Sequence, residues 1–120
     1  MKIIEHFING KKFSGDSKNN GKVYNPATGE QTAEVKLASS KDVNFAISCA
    51  KNAFEDWSRT PPLQRARIMF KYKELIEKNS DELTKIIVSE HGKVYEDAKG
   101  SLTRGLEFVE YACGIPELLK

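Results

Sequence analysis

The chain has 120 residues and a mass of 13.5 kDa, which is enough for one domain. Its charged content of 30% and hydrophobic content of 39% are ordinary for a globular protein, and its net charge of +2 is too small to favour nucleic acid or an anionic membrane as a partner. No run approaches the roughly 18 apolar residues of a membrane span. The first ten residues lack the apolar region and cleavage site of a signal peptide, so we expect a cytoplasmic protein.

Residues 1–38 carry the strand signals. Residues 4–13 are predicted to form a hairpin, because the turn pair Asn9-Gly10 lies between two short apolar runs. A polar loop follows at 14–22, and residues 23–37 are predicted to form a second pair of short strands around an Asn-Pro turn. We expect residues 1–38 to be a segment of hairpin strands.

Residues 39–120 are predicted to be helical. Apolar residues recur there at spacings of three and four, which is typical of helices with one buried face. We expect four helices, so that the fold class is α+β, with two short hairpins followed by helices. The predicted helix boundaries are a capping box at Ser39 with Asp42, an end at Trp57, a start at Pro61-Pro62, a cap at Ser80, an end at Gly92 and a last helix over 94–118, bent at 114–116.

The last predicted helix carries one polar residue out of pattern. Arg104 lies one turn before Phe108, at the edge of an apolar stripe, between Gly100 and Gly105. Glycine costs a helix about 1 kcal/mol relative to alanine, so two glycines beside a guanidinium indicate room for an approaching molecule. The alternative is a solvated arginine or one paired with a helical carboxylate. The stripe consists of Leu102, Leu106, Phe108, Val109 and Ala112, and the available carboxylates are Glu107 and Glu110.

Cysteines and histidines give no catalytic or metal signal. Cys49 and Cys113 lie on different predicted helices among apolar neighbours, at a spacing that matches no metal motif, so we expect buried free thiols. His6 and His91 are isolated in the sequence, and we predict no metal site.

Four stretches together resemble the amino-terminal part of the aldehyde dehydrogenase superfamily. The resemblance covers residues 6–119 and implies that 39–120 is the helical, incomplete part of an NAD-binding domain. Within the superfamily, SLTRGLEFVEYACGIPELL is similar to the methylmalonate-semialdehyde dehydrogenase branch, which has Arg-Gly at the matching place. Because the chain ends in apolar residues soon after this match, we expect an amino-terminal fragment. The four stretches are FINGKKF, YNPATGE, AFEDWSRTPPLQRARIMFKYKELIEKN and DELTKIIVSEHGK.

The resemblance implies a specific reaction for the full enzyme. It would oxidise methylmalonate or malonate semialdehyde with NAD through a cysteine thioester and pass the acyl group to coenzyme A, with loss of carbon dioxide. Arg104 would bind the substrate carboxylate at the mouth of a tunnel, with Gly100 and Phe108 on its wall. The reactive cysteine, the general base and the NAD-binding turn would lie beyond residue 120. The fragment alone is therefore expected to be inactive and to bind no cofactor, whereas the full enzyme would be a dimer of dimers.

Two alternatives stay open from the sequence. One is a non-acylating dehydrogenase for another semialdehyde, such as succinate semialdehyde, in which Arg104 would still bind a carboxylate. The other is a standalone helical interaction module that closes a core from its own helices. That core would consist of Phe54, Trp57, Ile68, Met69, Leu83 and Ile87.

Overall fold

The computed structural model describes residues 1–120, which divide into two compact units, Met1–Arg59 and Thr60–Lys120. The first unit contains all the strands and the first helix, and the second contains the other helices. The predicted domain boundary at residue 38, between the hairpin strands and the helical part of an NAD-binding domain, stays a prediction. The strands are β1 (Lys2–Ile4), β2 (His6–Ile8), β3 (Lys11–Phe13), β4 (Asn20–Tyr24) and β5 (Gln31–Lys36). The helices are α1 (Ser40–Trp57), α2 (Pro62–Lys78), α3 (Ser80–His91), α4 (Tyr95–Cys113) and α5 (Ile115–Leu118).

Both predicted hairpins are present in the first unit. β2 and β3 pair antiparallel around Asn9-Gly10, whose positive φ angles of 57° and 75° are those of the tight turn that this pair favours. β4 and β5 also pair antiparallel. The sequence did not predict β1, which pairs parallel with β5 to give a sheet of order β1-β5-β4. Three residues are too few to show an alternation, and the partner strand is distant in sequence.

The predicted capping box starts α1. The Ser39 hydroxyl accepts a hydrogen bond from the Asp42 amide at 3.1 Å, and the Ser39 amide donates to the Asp42 carboxylate at 2.9 Å. The Asp16 amide also donates to this carboxylate, at 3.3 Å. Asp42 is only 3% exposed, so these donors take the place of water around a buried charge. The carboxylate thereby ties the loop before β4 to the first turn of α1.

Replacement of Asp42 by asparagine is expected to make stability less dependent on pH. The Ser39 backbone N–H, opposed in part by burial, holds the pKa of the Asp42 carboxyl below its ordinary value. A carboxyl group whose pKa is lower in the folded protein stabilises the fold at pH values above its pKa in the unfolded chain. That stabilisation is lost as the pH falls through its pKa in the folded protein. Asp42→Asn should therefore lower the urea midpoint at neutral pH, and this gap from the wild type should close below about pH 4. A gap of the same size at neutral pH and at about pH 3 would contradict this account.

In the second unit, α2 and α3 both pack against α4 around small side chains. Ala98 is fully buried and Ala66 is 3% exposed, and Cys113 is also buried. Thr84, which is 1% exposed, donates its hydroxyl hydrogen to the Ser80 carbonyl at 2.7 Å. Small buried residues allow the helix axes to approach closely and hold α4 in place.

The predicted helix ends are correct except at two places. Gly92 ends α3 with a φ of 80°, as predicted for a glycine after a helix. Ser80, predicted as a cap, is instead the first residue of α3, and the side chain of Asn79 before it makes no capping bond to α3. The single helix predicted over 94–118 is two helices, because α4 ends at Cys113 and Pro116 has no amide hydrogen with which to continue the ladder.

Large apolar side chains are exposed on every helix of the chain. On α1, Phe54 was placed in the standalone core, yet it is 63% exposed, and Ile47 on the same helix is 60% exposed. Three of the six side chains of the hypothetical standalone core are exposed. The reason is that helical periodicity shows which face is apolar but not what covers it. The exposed members of the hypothetical standalone core are Phe54, Trp57 and Ile68.

No helix combines the length and apolar character needed to cross a membrane.

Candidate functional site

Helix α4 places Arg104 away from its packed face. Leu102, Leu106 and Val109 are half-buried, as expected for the stripe that packs in the unit. Arg104 lies two residues from both leucines, which in a 3.6-residue helix puts it on the opposite face, where it is exposed. Phe108, predicted to belong to the stripe, is 77% exposed and lies one turn after Arg104 on the outer face. The outer face of α4 therefore carries Arg104 and, one turn later, the exposed Phe108.

The Arg104 side chain extends back along the helix over Gly100. A Cβ placed on Gly100 would lie 3.9 Å from one terminal nitrogen of the guanidinium, Nη1. The other terminal nitrogen, Nη2, donates to the Ser101 hydroxyl at 3.5 Å. A Cβ on Gly105 would meet nothing within 4 Å, so this flank is open. The two flanking glycines thus differ, since only Gly100 lies against the arginine.

Arg104 makes no ion pair. Of its two candidate partners, Glu110 instead contacts Lys73 of α2 at 3.6 Å, and Glu107 pairs with no cation. A hydrogen bond from Lys73 to Glu77 raises the pKa of Lys73, with a further contribution from Glu110. Glu110 thus belongs to a contact between α2 and α4, and Arg104 is left without a carboxylate partner.

The structure adds two residues that the sequence did not single out. Lys93, in the loop before α4, is half-buried and donates from Nζ to the Ser101 hydroxyl at 2.9 Å. The Ser101 hydroxyl oxygen therefore accepts hydrogen bonds from both Lys93 and Arg104, and the hydroxyl donates its own hydrogen to the Asp97 carbonyl at 3.3 Å. Neither cation has a carboxylate within 4 Å. No sequence signal predicts this cluster, because Lys93 precedes the helix and its reach depends on the bend after Gly92.

The two cysteines are on α1 and at the end of α4. Cys113 is a buried free thiol, as predicted, whereas Cys49 is free but only half-buried, so the prediction that it is buried is wrong. No group of three or more His, Cys, Asp or Glu side chains is arranged to hold a metal ion. The candidate site therefore consists of Arg104, Ser101 and Lys93, with Gly100 against the guanidinium and Phe108 one turn after Arg104.

Comparison with known proteins identifies the family. The model of the aldehyde dehydrogenase family matches residues 13–120. The chain belongs to the aldehyde dehydrogenase family. It is 45% identical over all its 120 residues to malonate-semialdehyde dehydrogenase of Pseudomonas aeruginosa, of which it covers 24%. The chain thus spans about a quarter of the length of the relatives that it matches.

Solved structures agree with this aldehyde dehydrogenase assignment. A methylmalonate-semialdehyde dehydrogenase from Oceanimonas doudoroffii is 52% identical, with a TM-score of 0.96 over 100% of this chain and 24% of that one. A Sinorhizobium meliloti protein solved in complex with NAD is 43% identical, with a TM-score of 0.97 and the same two coverages. The predicted fold class, an α+β piece of the amino-terminal part of the aldehyde dehydrogenase fold, is confirmed.

Proposed function

We propose that this chain is the amino-terminal segment of an NAD-dependent dehydrogenase that converts malonate or methylmalonate semialdehyde to an acyl-CoA. A malonate-semialdehyde dehydrogenase and a methylmalonate-semialdehyde dehydrogenase match the whole chain, at 45% and 52% identity. The observation that carries the proposal is the exposed Arg104 guanidinium, which has no acidic partner in the structure. An unpaired cation on an open helix face suits a substrate that carries its own carboxylate.

Arg104 supplies the recognition chemistry in this proposal. A guanidinium presents paired N–H groups that match the two oxygens of a carboxylate, which makes the contact directional as well as charged. Gly100 has no side chain beneath the guanidinium. A Cβ added there would lie 3.9 Å from Nη1 of Arg104, which is an ordinary van der Waals contact. Position 100 therefore tolerates alanine, whereas a longer side chain would compete with the ligand for space. Phe108 offers an apolar wall for the carbon between carboxylate and aldehyde.

The chemical steps are assigned to parts of the enzyme outside these 120 residues. When bound, NAD would accept the hydride and coenzyme A the acyl group, with the oxidised carbon held as a cysteine thioester and carbon dioxide lost. The chain has no glycine-rich phosphate-binding turn, so we assign none of its residues to either cofactor and derive no step through them. Its role is to hold the carboxylate end of the substrate. We further propose that residues 39–120 form the helical part of an NAD-binding domain that is incomplete within this chain, in a cytoplasmic enzyme that assembles as a dimer of dimers.

Product analysis of the full-length enzyme tests the proposed reaction. With malonate semialdehyde, NAD and coenzyme A, we expect equal amounts of NADH and acetyl-CoA, and no turnover from the 120-residue chain alone. Release of malonate without acetyl-CoA would contradict the acyl-transfer reaction. A strong preference for succinate semialdehyde would favour the non-acylating alternative.

A further inference from the structure

The cluster around Ser101 contains more positive charge than one arginine supplies. Lys93 and Arg104 both donate to the same hydroxyl oxygen, at 2.9 and 3.5 Å, so their charged groups lie within two hydrogen-bond lengths of each other. Neither is neutralised by an ion pair. Two like charges at this separation repel each other unless an anion lies between or beside them.

We propose that Lys93 and Ser101 are positioning residues that hold Arg104 and add a second positive charge to the carboxylate site. This inference rests on the proposed function, because it takes the Arg104 ligand to be a carboxylate. Ser101 fixes one terminal nitrogen of the guanidinium against α4, which leaves the other N–H groups to the substrate. Lys93 raises the positive potential at the guanidinium, and a bound carboxylate relieves the repulsion between the two cations.

The surroundings of Lys93 make its charge more effective than that of an ordinary surface lysine. Its side chain is half-buried, so water screens it less than the exposed Lys99 of α4. Its partner Ser101 is part of α4 and is itself half-buried, so the donor is held in one place. A carboxylate-bearing aldehyde should feel this charge, and a neutral aldehyde of similar length should not.

Steady-state kinetics of the full-length enzyme with malonate semialdehyde and with propanal test this inference. Lys93→Gln keeps a hydrogen-bond donor but removes the charge, and should raise KM for the semialdehyde about fivefold with kcat unchanged. KM for propanal should stay as in the wild type, and Lys93→Arg should restore most of the semialdehyde affinity. Lys99→Gln, which removes the exposed lysine of α4, is the matched control and should change neither KM.

The coupling between the residues gives a second readout. Ser101→Ala should raise KM for the semialdehyde in the wild type, but should have almost no effect in an Arg104→Gln background, because it acts through the guanidinium. If Arg104→Gln raises KM while Lys93→Gln does not, the role of Lys93 is refuted and the proposed function survives. Equal losses on both aldehydes would make Lys93 merely structural, which also refutes the inference. If Arg104→Gln changes neither KM, the proposed function itself fails.

Discussion

Replacing Gly15 with alanine is expected to destabilise the junction between the loop before β4 and α1 by about 3 kcal/mol. Gly15 has a φ of 70°, a region that costs other L-residues roughly 1–2 kcal/mol. An added Cβ would also lie 2.5 Å from one carboxylate oxygen of Asp42. That carboxylate is buried and held by the Ser39 and Asp16 amides, so it cannot move aside without losing hydrogen bonds, and overpacking of this kind typically costs 1–3 kcal/mol more.

Hydrogen exchange of the full-length enzyme measures this effect locally. For Gly15→Ala, peptides over residues 14–18 and 38–44 should exchange roughly a hundredfold faster than in the wild type, since each 1.4 kcal/mol is about tenfold. Gly29→Ala is a matched control, because Gly29 has a φ of 74° and its added Cβ meets nothing within 4 Å. Its own turn should open only about tenfold faster. Equal effects of the two substitutions would mean that contact with Asp42 contributes nothing.

Local features of the fold could be predicted from the sequence because their causes are local. The Asn9-Gly10 turn needs two positive φ angles, which these residues tolerate, and Gly92 ends α3 for the same reason. The capping box needs only that Ser39 and Asp42 be three residues apart. In each case the physical requirement and the residues that meet it lie within a few positions of each other.

Features that depend on distant partners could not be predicted in this way. β1 is a strand because β5 lies beside it, and its three residues carry no periodic signal. The apolar periodicity of α1 is real, yet Phe54 remains exposed because no part of this chain covers it. Lys93 joins the candidate site only through Ser101, a contact that requires the chain path after Gly92. The helix pattern singled out Arg104 between Gly100 and Gly105 but alone favoured a solvated residue. Only the family resemblance favoured a role in binding the substrate carboxylate, and that role stays a prediction.

Replacing Arg104 with glutamine is expected to have the largest effect on activity. The guanidinium would contribute charge-assisted hydrogen bonds to a carboxylate that is shielded from water in the full enzyme, and loss of such a partner costs about 2–4 kcal/mol. Glutamine keeps a donor but neither the charge nor the paired geometry. KM for malonate semialdehyde should therefore rise roughly 30- to 700-fold, by the conversion of 1.4 kcal/mol per tenfold. Propanal has no carboxylate, so its KM should not change.

The ratio of kcat/KM for malonate semialdehyde to that for propanal is the most direct measure of whether Arg104 binds the substrate carboxylate. Arg67→Gln serves as the matched control, because Arg67 is exposed on α2 and makes no ion pair. We predict that the ratio falls at least thirtyfold in Arg104→Gln, at about 2 kcal/mol or more, and stays at the wild-type value in Arg67→Gln. An unchanged ratio in Arg104→Gln, in an enzyme that still oxidises propanal normally, would contradict the account.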